Sequence, residues 1–446
     1  MIKKLVIVLG VIVPTLVIAQ DTSTYRFSLV QSIDFSFKNH NSVVNAQIDE
    51  VVAKAQKNEI RGIGLPQING SVDFKDFIEL ATQLVPAEFF GGQPGEFAPV
   101  QFGTQYNTTA SIEASQLLFS GDYLVALQSS STFLELSKKN THRTKIETAL
   151  AVSKAYYNVL VQQERMKLIN ANTDRLKILY DETSIMHDKG VVEKIDLDRV
   201  KVAHNNILTE RGKFEKLLVL GYTMLKFQMG MDPAAKLILT DSLTEHGLEV
   251  PKSEISDFNF SNRIEYSILE TRQQLSNLEL RKNRLGYAPT LVAYGSYSWQ
   301  AQRNEFNFFD ANEKWYPIGV FGVKLTVPIF DGFQRNYRIQ QSKLSLQKVN
   351  NDMKLLKDGI TVELQSAHIK LENSMASVAN QKENMVLAEG VYEAAKRKYE
   401  LGTGSNIEVM DAETALKEAQ TNYYSALYDA LVAKTELEKA QGILIK

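Results

Sequence analysis

Two stretches without proline constrain this chain more than any other feature of its sequence. The ten prolines leave residues 100–232, and everything after Pro328, free of this amino acid. Because proline costs about 3 kcal/mol inside a helix, very long helices can form only in such stretches. We therefore predict one long helix over about 122–180 and a second over about 333–401, the second roughly 100 Å long at 1.5 Å per residue.

The second stretch also has the period of a coiled-coil helix, since its apolar residues recur every three or four positions. These residues are Leu346, Val349, Met353, Leu356, Ile360, Leu364, Ala367, Leu371, Met375 and Val378. The two halves of the chain share landmarks as well. Residues 118–122 resemble 329–333, where a strand would lead into a long helix, and residues 189–196 resemble 401–408, where a helix would turn back. The sequence therefore predicts an internal duplication.

Four short segments are predicted strands, around 68–75, 110–115, 291–300 and 321–329. Three of them alternate apolar and polar residues, as strands with one apolar and one wet face do, and the segment 291–300 mixes Tyr294, Tyr297 and Trp299 with small residues. Such alternation also suits a membrane barrel, but four strands cannot close one, because about eight are needed and lipid does not tolerate an open sheet edge. If these strands cross a membrane, three copies would supply twelve.

The segments between the predicted strands, 78–106 and 301–316, are rich in Gly, Pro, Asn, Gln and aromatic residues. We predict that they are surface loops. The aromatic residues expected at the membrane interface, where such side chains are enriched, are Tyr297, Trp299, Trp315 and Tyr316.

The first residues are typical of a secretion signal. Lys3 and Lys4 precede an apolar run over 5–18, and the run ends in a small-residue cleavage site at Ala19. The alternative is an uncleaved membrane anchor, for which the run is short. The chain contains no cysteine, which excludes disulfides, thiolate chemistry and cysteine lipidation. Its 50 basic and 52 acidic residues show no excess that would favour nucleic acid.

Residues 399–412, Tyr-Glu-Leu-Gly-Thr-Gly-Ser-Asn-Ile-Glu-Val-Met-Asp-Ala, are similar to the second periplasmic hairpin of the TolC-like outer-membrane efflux proteins, the outer membrane factors. Asn158 and its neighbours look like the first long helix of that family. The resemblance covers nearly the whole mature chain. It implies a mainly α protein with a β membrane portion, in which a trimeric 12-stranded β-barrel with four strands per chain continues into a long α-helical coiled-coil barrel.

The resemblance also implies the domain organisation of the chain. The expected segments are 1–19, signal peptide; 20–66, first helix of repeat 1; 67–120, strand pair 1 with an extracellular loop; 121–230, long helical hairpin 1; 231–260, equatorial segment; 261–288, first helix of repeat 2; 289–330, strand pair 2 with an extracellular loop; and 331–446, long helical hairpin 2.

Two carboxylates near the start of the last helix are the main candidates for function. Glu408 and Asp411 are three residues apart and so share one helix face. In a three-fold assembly each would form a ring of acidic side chains, and such rings set selectivity and gate narrow pores. The resemblance places these positions at the periplasmic entrance. The alternative is that both acids only favour the helix dipole, worth about 0.3–1 kcal/mol each.

Further entrance residues follow from the resemblance. Tyr399 and Asp196 match positions that link neighbouring hairpins in a closed entrance, and a phenol–carboxylate hydrogen bond is the expected latch. Gly404 stands where the family has an arginine, so one closing contact is missing. Asp196 is otherwise an ordinary acid in the first turn of a helix.

The two hairpin tips are expected to dock a periplasmic adaptor protein. The tip residues are Gly190, Val191, Val192, Gly402, Thr403 and Gly404. The same glycines suit the left-handed conformation that ends helices, and the two roles are compatible.

The function expected is that of a passive exit duct and not an enzyme. The chain would be the outer-membrane channel of a tripartite efflux pump, embedded in outer-membrane lipid with its helices in the periplasm, with an adaptor and an inner-membrane efflux transporter as partners. No phosphate-binding loop or metal-ligand spacing is present in the sequence, so no cofactor is expected. The alternatives are the duct of a type I protein secretion system and, in a different class, a secreted periplasmic coiled-coil scaffold.

Overall fold

The structure, a computed structural model, describes residues 24–243 and 258–445. The predicted signal peptide at 1–19 lies outside the described residues, as does part of the predicted equatorial segment.

The elements in chain order are β1 (Thr24–Phe27), α1 (Leu29–Asn39), α2 (Asn41–Ile63), β2 (Gln67–Asp76), β3 (Thr82–Pro86), β4 (Phe97–Gln101), β5 (Tyr106–Phe119), α3 (Gly121–Asp188), α4 (Lys194–Met229), β6 (Lys236–Leu239), α5 (Ile264–Leu285), β7 (Thr290–Arg303), β8 (Tyr316–Thr326), α6 (Gln334–Glu400) and α7 (Asn406–Gln441). The protein is mainly helical.

The chain divides into two compact units. Among the described residues, the first comprises 24–44, 145–243 and 364–445, and the second comprises 45–144 and 258–363. The first unit contains most of α3, all of α4 and α7, and the tip-side part of α6. The second contains the long-stranded sheet and α5. Among the described residues, no helix is both long and apolar enough to cross a bilayer.

The long helices form where proline is absent. Helix α3 has 68 residues and α6 has 67, and each is followed by a helix of 36 residues. We name α3 with α4 hairpin 1 and α6 with α7 hairpin 2. Helix α3 continues past the predicted Tyr180 to Asp188, and α6 has almost the bounds expected for it.

The predicted single helix over residues 20–66 is wrong, because the structure has a strand and two helices there. Ser28 begins α1 with a capping box, in which its hydroxyl accepts from the backbone of Gln31 and the Gln31 side chain accepts from the Ser28 backbone. His40 then adopts an extended conformation (φ −71°, ψ 123°), which interrupts the helix before α2. Strand β1 pairs in parallel with β6, residues 24–27 against 236–239, within the segment predicted as equatorial.

The four long strands form one antiparallel sheet in the order β2-β5-β7-β8. Side chains directly opposite in such a sheet lie on the same face. The register therefore places one set of apolar residues from all four strands on a common face: Ile68, Val72 and Phe74 of β2, Ala110, Ile112 and Ala114 of β5, Leu291, Tyr297 and Trp299 of β7, and Phe321, Val323 and Leu325 of β8. We call this set the apolar face. The opposite face is largely polar, with Ser71 and Ser111 hydrogen-bonded across it at 2.8 Å.

Among the described residues, most side chains of the apolar face are exposed. The exposed fractions of Ile68, Val72 and Phe321 are 71%, 75% and 81%. Exposed apolar surface of this extent marks a site of contact with lipid or another protein.

Two predicted loops differ from the structure. The segment 78–106 contains a small hairpin, in which β3 pairs with β4, so it is not wholly a loop. The segment 301–316 is shorter than expected, because β7 continues to Arg303 and β8 begins at Tyr316. Tyr316 is therefore the first residue of β8 and does not lie in the loop.

Candidate functional site

The tips of the two hairpins have the same backbone geometry. Gly190 and Gly402 have φ values of 73° and 74°, in the left-handed region that favours glycine. In each tip the glycine N–H donates to the carbonyl three residues earlier, and the next N–H, of Val191 or Thr403, donates to the carbonyl five residues earlier. These bonds satisfy carbonyls that the helix end leaves free. Among the predicted tip residues, Gly190, Val191, Gly402 and Thr403 are exposed, and Val192 and Gly404 are partly buried.

Tyr399 and Asp196 are not joined by the predicted latch within this chain. The Tyr399 hydroxyl lies 3.3 Å from Thr183 Oγ1 and 3.8 Å from Met186 Sδ, both in α3. Asp196 is in the first turn of α4, where its carboxylate is 3.4 Å from the Arg199 guanidinium. Its backbone carbonyl instead accepts a hydrogen bond from Asn406 Nδ2 at 3.2 Å. The chain therefore links the first turns of α4 and α7 through an amide.

Glu408 and Asp411 are both exposed on α7. Glu408 is in the first turn, where its backbone N–H donates to the hydroxyl of the N-cap residue Ser405 at 3.3 Å. This position favours a carboxylate through the helix dipole. The geometry is thus compatible with an acidic ring as well as with the simpler role of a first-turn acid.

A buried charged cluster near the tips was not predicted from the sequence. Glu413 of α7 is 6% exposed, and its Oε1 accepts a hydrogen bond from Arg175 Nε of α3 at 3.4 Å. The same guanidinium bonds Asn172 and lies over the Tyr392 ring, 5.2 Å from its centroid. Lys417 pairs with Glu210 of α4 nearby. The sequence shows polar residues seven positions apart at Asn406, Glu413 and Gln420, but it does not show that they are buried.

Burial raises the pKa of Glu413, while the charge and hydrogen bond of Arg175 and the charge of Lys417 oppose the rise only in part. The pKa of Glu436 shifts in the opposite direction. Burial alone would raise its pKa, but hydrogen bonds from Lys154 and Lys370, at 2.6 and 2.7 Å, lower it overall. Burial likewise raises the pKa of Tyr392 to about 12, so this phenol stays neutral in the cluster.

We expect acidification from pH 7 to pH 4.5 to stabilise the wild type relative to Glu413→Gln. A carboxyl whose folded pKa is raised stabilises the fold most below its ordinary value of 4.5, and this contribution is lost as the pH rises through the folded pKa. Glu436, with its lowered pKa, loses its contribution only below that window. Thermal unfolding of both proteins at each pH measures the difference. An identical pH response in the two proteins would contradict the prediction.

A groove of about 570 Å³ lies beside this cluster, between α3, α4 and α7. Its walls combine apolar side chains, such as Ile195, Val202 and Met410, with Glu413 and the Lys417–Glu210 pair. Among the described residues, no group of three or more His, Cys, Asp or Glu side chains could hold a metal ion.

Comparisons with known proteins agree with this fold. The family model "Outer membrane efflux protein" matches residues 267–443. The outer membrane protein TolC of Vibrio cholerae serotype O1 is 20% identical over 338 residues, which cover 75% of this chain and 77% of that protein. The proteases secretion protein PrtF of Dickeya chrysanthemi is 21% identical over 301 residues, or 65% and 63% of the two chains.

A solved structure shows the same fold at low sequence identity. The outer membrane protein VceC of Vibrio cholerae superposes with a TM-score of 0.70 at 14% identity, over 93% of this chain and 96% of that one. Together with the family model and the similarity to TolC, this fold makes the chain similar to the outer membrane efflux proteins, the TolC-like outer membrane factors, and these relatives support a location in the bacterial outer membrane.

Proposed function

We propose that this chain is one protomer of a trimeric channel, through which small molecules leave the cell from an inner-membrane transporter and a periplasmic adaptor. Segments 67–120 and 289–330 supply the membrane strands and their extracellular loops. Segments 121–230 and 331–446 supply the periplasmic hairpins. The chain itself performs no chemistry, and the energy for transport comes from its partners.

The observation that carries this proposal is the apolar face of the four-stranded sheet. Every strand contributes exposed side chains to this face, in which only Ala110 and Leu291 are partly buried, whereas the other face is largely polar. This is the arrangement of a barrel wall, with lipid outside and water inside. A soluble sheet would cover such a face with its own helices.

The free edges of the sheet support assembly of several copies. In the described chain, β2 and β8 each pair with a neighbour on one side only. Unpaired backbone groups at a lipid-exposed edge cost several kcal/mol each, so both edges need partners. Pairing β2 of one copy with β8 of the next satisfies both edges, and three copies give the twelve strands of a closed barrel.

Cell fractionation tests the proposal directly. We expect the protein in the outer-membrane fraction, migrating as a trimer that dissociates only on heating, and forming conducting channels in planar bilayers. A soluble periplasmic monomer would refute the channel and favour the scaffold protein.

Glu408 and Asp411 are proposed to line the periplasmic entrance. We expect the double variant Glu408→Ala with Asp411→Ala to raise single-channel conductance and weaken block by trivalent cations, because three copies then lose six carboxylates from a narrow pore. The control is Asp181→Ala with Glu182→Ala, which removes the same charge from exposed positions of α3. If both double variants behaved like the wild type, the two acids would have no place at the entrance.

A duct for protein secretion is the second candidate, and the similarity to PrtF, a proteases secretion protein, favours it. Both candidates use the same barrel and hairpins. They differ in the transporter and adaptor that supply the channel. Co-purification after crosslinking, with the transporter identified by its sequence, separates an efflux pump from a protein exporter.

A further inference from the structure

All four long strands meet their helices at the same end of the sheet. Strands β2 and β7 begin at this end, whereas β5 and β8 end there. The residue pairs nearest to it are Gln67 with Ser115, Leu291 with Phe119, and Thr290 with Thr326. The end of α5 and the start of α6 therefore lie here. We call this the helix end of the sheet and the opposite one the loop end.

The two ends differ in charge. At the loop end, the connections 77–105 and 304–315 contain three acidic residues each and a single lysine between them. At the helix end, segments 279–289 and 327–339 contain two acidic residues against one lysine and four arginines. The arginines are Arg281, Arg284, Arg335 and Arg338. Positive charge is thus concentrated where α5 ends and α6 begins.

Most of these arginines have no counter-charge in the chain. The Arg335 guanidinium lies 3.4 Å from the Asp331 carboxylate. Arg281, Arg284 and Arg338 are exposed, and in the part of the chain that the structure describes none of them has a carboxylate partner. Water alone solvates them, so they are available to an anion from outside the chain.

The stability of α6 does not explain its two arginines. Arg335 and Arg338 lie in the first two turns, where the helix dipole favours acids, and the first turn contains no acidic residue. They are three residues apart, so the like charges also share one side of the helix and repel each other. Asp331, which precedes the helix, offsets only one of them. An anion bound between the two would remove both costs.

The arginines of α5 and α6 come together at one junction. Ser342 of α6 donates a hydrogen bond to the Arg338 carbonyl at 3.0 Å and accepts one from Asn283 Nδ2 of α5 at 2.7 Å. Arg284 directly follows Asn283, so it lies near the same part of α6. A guanidinium group has five N–H donors, so even Arg335 keeps donors for a second anion. The junction therefore offers both positive charge and hydrogen-bond donors.

Exposed apolar surface continues from the sheet to this junction. Ile329, Phe330 and Phe333 follow β8 and are all exposed, the first of them at 95%. Two exposed tyrosines, Tyr287 and Tyr337, flank the arginines, and the first has its ring centroid 5.7 Å from the guanidinium carbon of α6's first arginine. Apolar residues followed by tyrosines and cations are the pattern of a membrane–water interface. This continuity indicates a lipid as the source of the anion.

We propose that Arg284, Arg335 and Arg338 bind the phosphate group of an anionic phospholipid whose acyl chains cover the neighbouring apolar surface. Guanidinium groups suit this ligand because their paired N–H donors match the phosphate oxygens. The inference rests on the proposed function in one respect, since it takes the apolar face to lie in lipid. A trimer would hold three such lipids.

Native mass spectrometry of the purified, delipidated trimer tests the site. The probe is phosphatidylglycerol with short acyl chains, added in increasing amounts. We expect the wild type to bind up to three molecules per trimer. The variant Arg284→Gln with Arg338→Gln should bind at least about tenfold more weakly, because two charged donors to the phosphate are lost.

The matched control is Arg272→Gln with Lys354→Gln. It removes the same charge from exposed positions of the same two helices, further from the sheet. We expect it to bind the lipid as the wild type does. An equal weakening in both double variants would mean that only the net charge attracts the lipid, and it would overturn the site.

Two further ligands identify the group that is recognised and need no variant. Diacylglycerol with the same acyl chains lacks the phosphate, and the wild type should bind it at least about tenfold more weakly. Equal affinity for the two lipids would overturn the proposal. If inorganic phosphate displaced the lipid at equal concentration, the site would be one for free phosphate and the lipid assignment would be wrong.

A carboxylate of a neighbouring copy is the competing partner for these arginines. In that case the Arg284→Gln with Arg338→Gln trimer would dissociate at a clearly lower temperature than the control in lipid-free detergent, and the lipid proposal would fail. The lipid titration needs no transport. A wild type that binds lipid but does not conduct would refute the channel alone, whereas conduction without preference for the phosphate would refute this site alone.

Discussion

Val323→Arg is expected to abolish accumulation of this protein in the outer membrane, whereas Val320→Arg is not. Both valines are exposed residues of β8, at 56% and 49%, but they lie on opposite faces of the sheet. Val323 is on the apolar face, which we propose contacts lipid. A charged residue on the lipid face of a barrel costs up to about 2–4 kcal/mol per copy. In the proposed trimer three copies multiply that cost, so we expect assembly to fail.

The matched control makes this result specific. Val320→Arg adds the same side chain to the same strand, on the face proposed to line water, where the charge stays hydrated. Quantitative immunoblots of membrane fractions, with heated and unheated samples, measure both outcomes. If both variants were lost from the outer-membrane fraction to the same extent, the experiment would report strand stability alone. If both were retained there equally, the apolar face would not contact lipid.

The second large effect is expected at Gly230, the residue that ends α4. Its φ is 68°, and a Cβ added there would lie 2.5 Å from the Asn39 carbonyl oxygen and 2.6 Å from His40 Cα. These are backbone atoms at the junction of α1 and α2, so they cannot move aside as a flexible side chain would. Gly230→Ala should therefore destabilise the fold by about 2–5 kcal/mol, combining left-handed strain with overpacking.

The variant Gly190→Ala separates left-handed backbone strain from overpacking. Gly190 has a similar φ of 73° but nothing within 4 Å of the added Cβ, so only the left-handed strain of about 1–2 kcal/mol applies. Thermal unfolding of the two variants in detergent should show a clearly larger loss for Gly230→Ala. Similar losses would indicate that the α1–α2 junction moves away at little cost.

The residues proposed for the entrance show how much of the site can be predicted from the sequence. The spacing of Glu408 and Asp411 and the glycines of the tips follow from local patterns, and the structure has these residues at a helix start and in left-handed turns. The partner of Tyr399 does not follow from such patterns. Its hydroxyl lies beside Thr183, more than two hundred residues earlier in the chain, and only the packing of α6 against α3 brings the two together.

The buried charged cluster gives a second example. A buried polar residue and a solvated one look alike in the sequence, so the burial of Glu413 becomes visible only in the structure. Arg175 and Glu413 are 238 residues apart, so no local pattern connects them.

By itself, the sequence determined the elements whose cause is local. The absence of proline from two stretches permitted the long helices, and alternation assigned an apolar and a polar side to three of the four predicted strand segments. The tertiary structure alone decided what depends on distant contacts: the register that aligns four apolar sides into one face, the pairing of β1 with β6, and the helix break at His40 beside Gly230. The physical reason is that periodicity reports which side of an element is apolar, whereas the partner of that side is chosen by the packing of the whole chain.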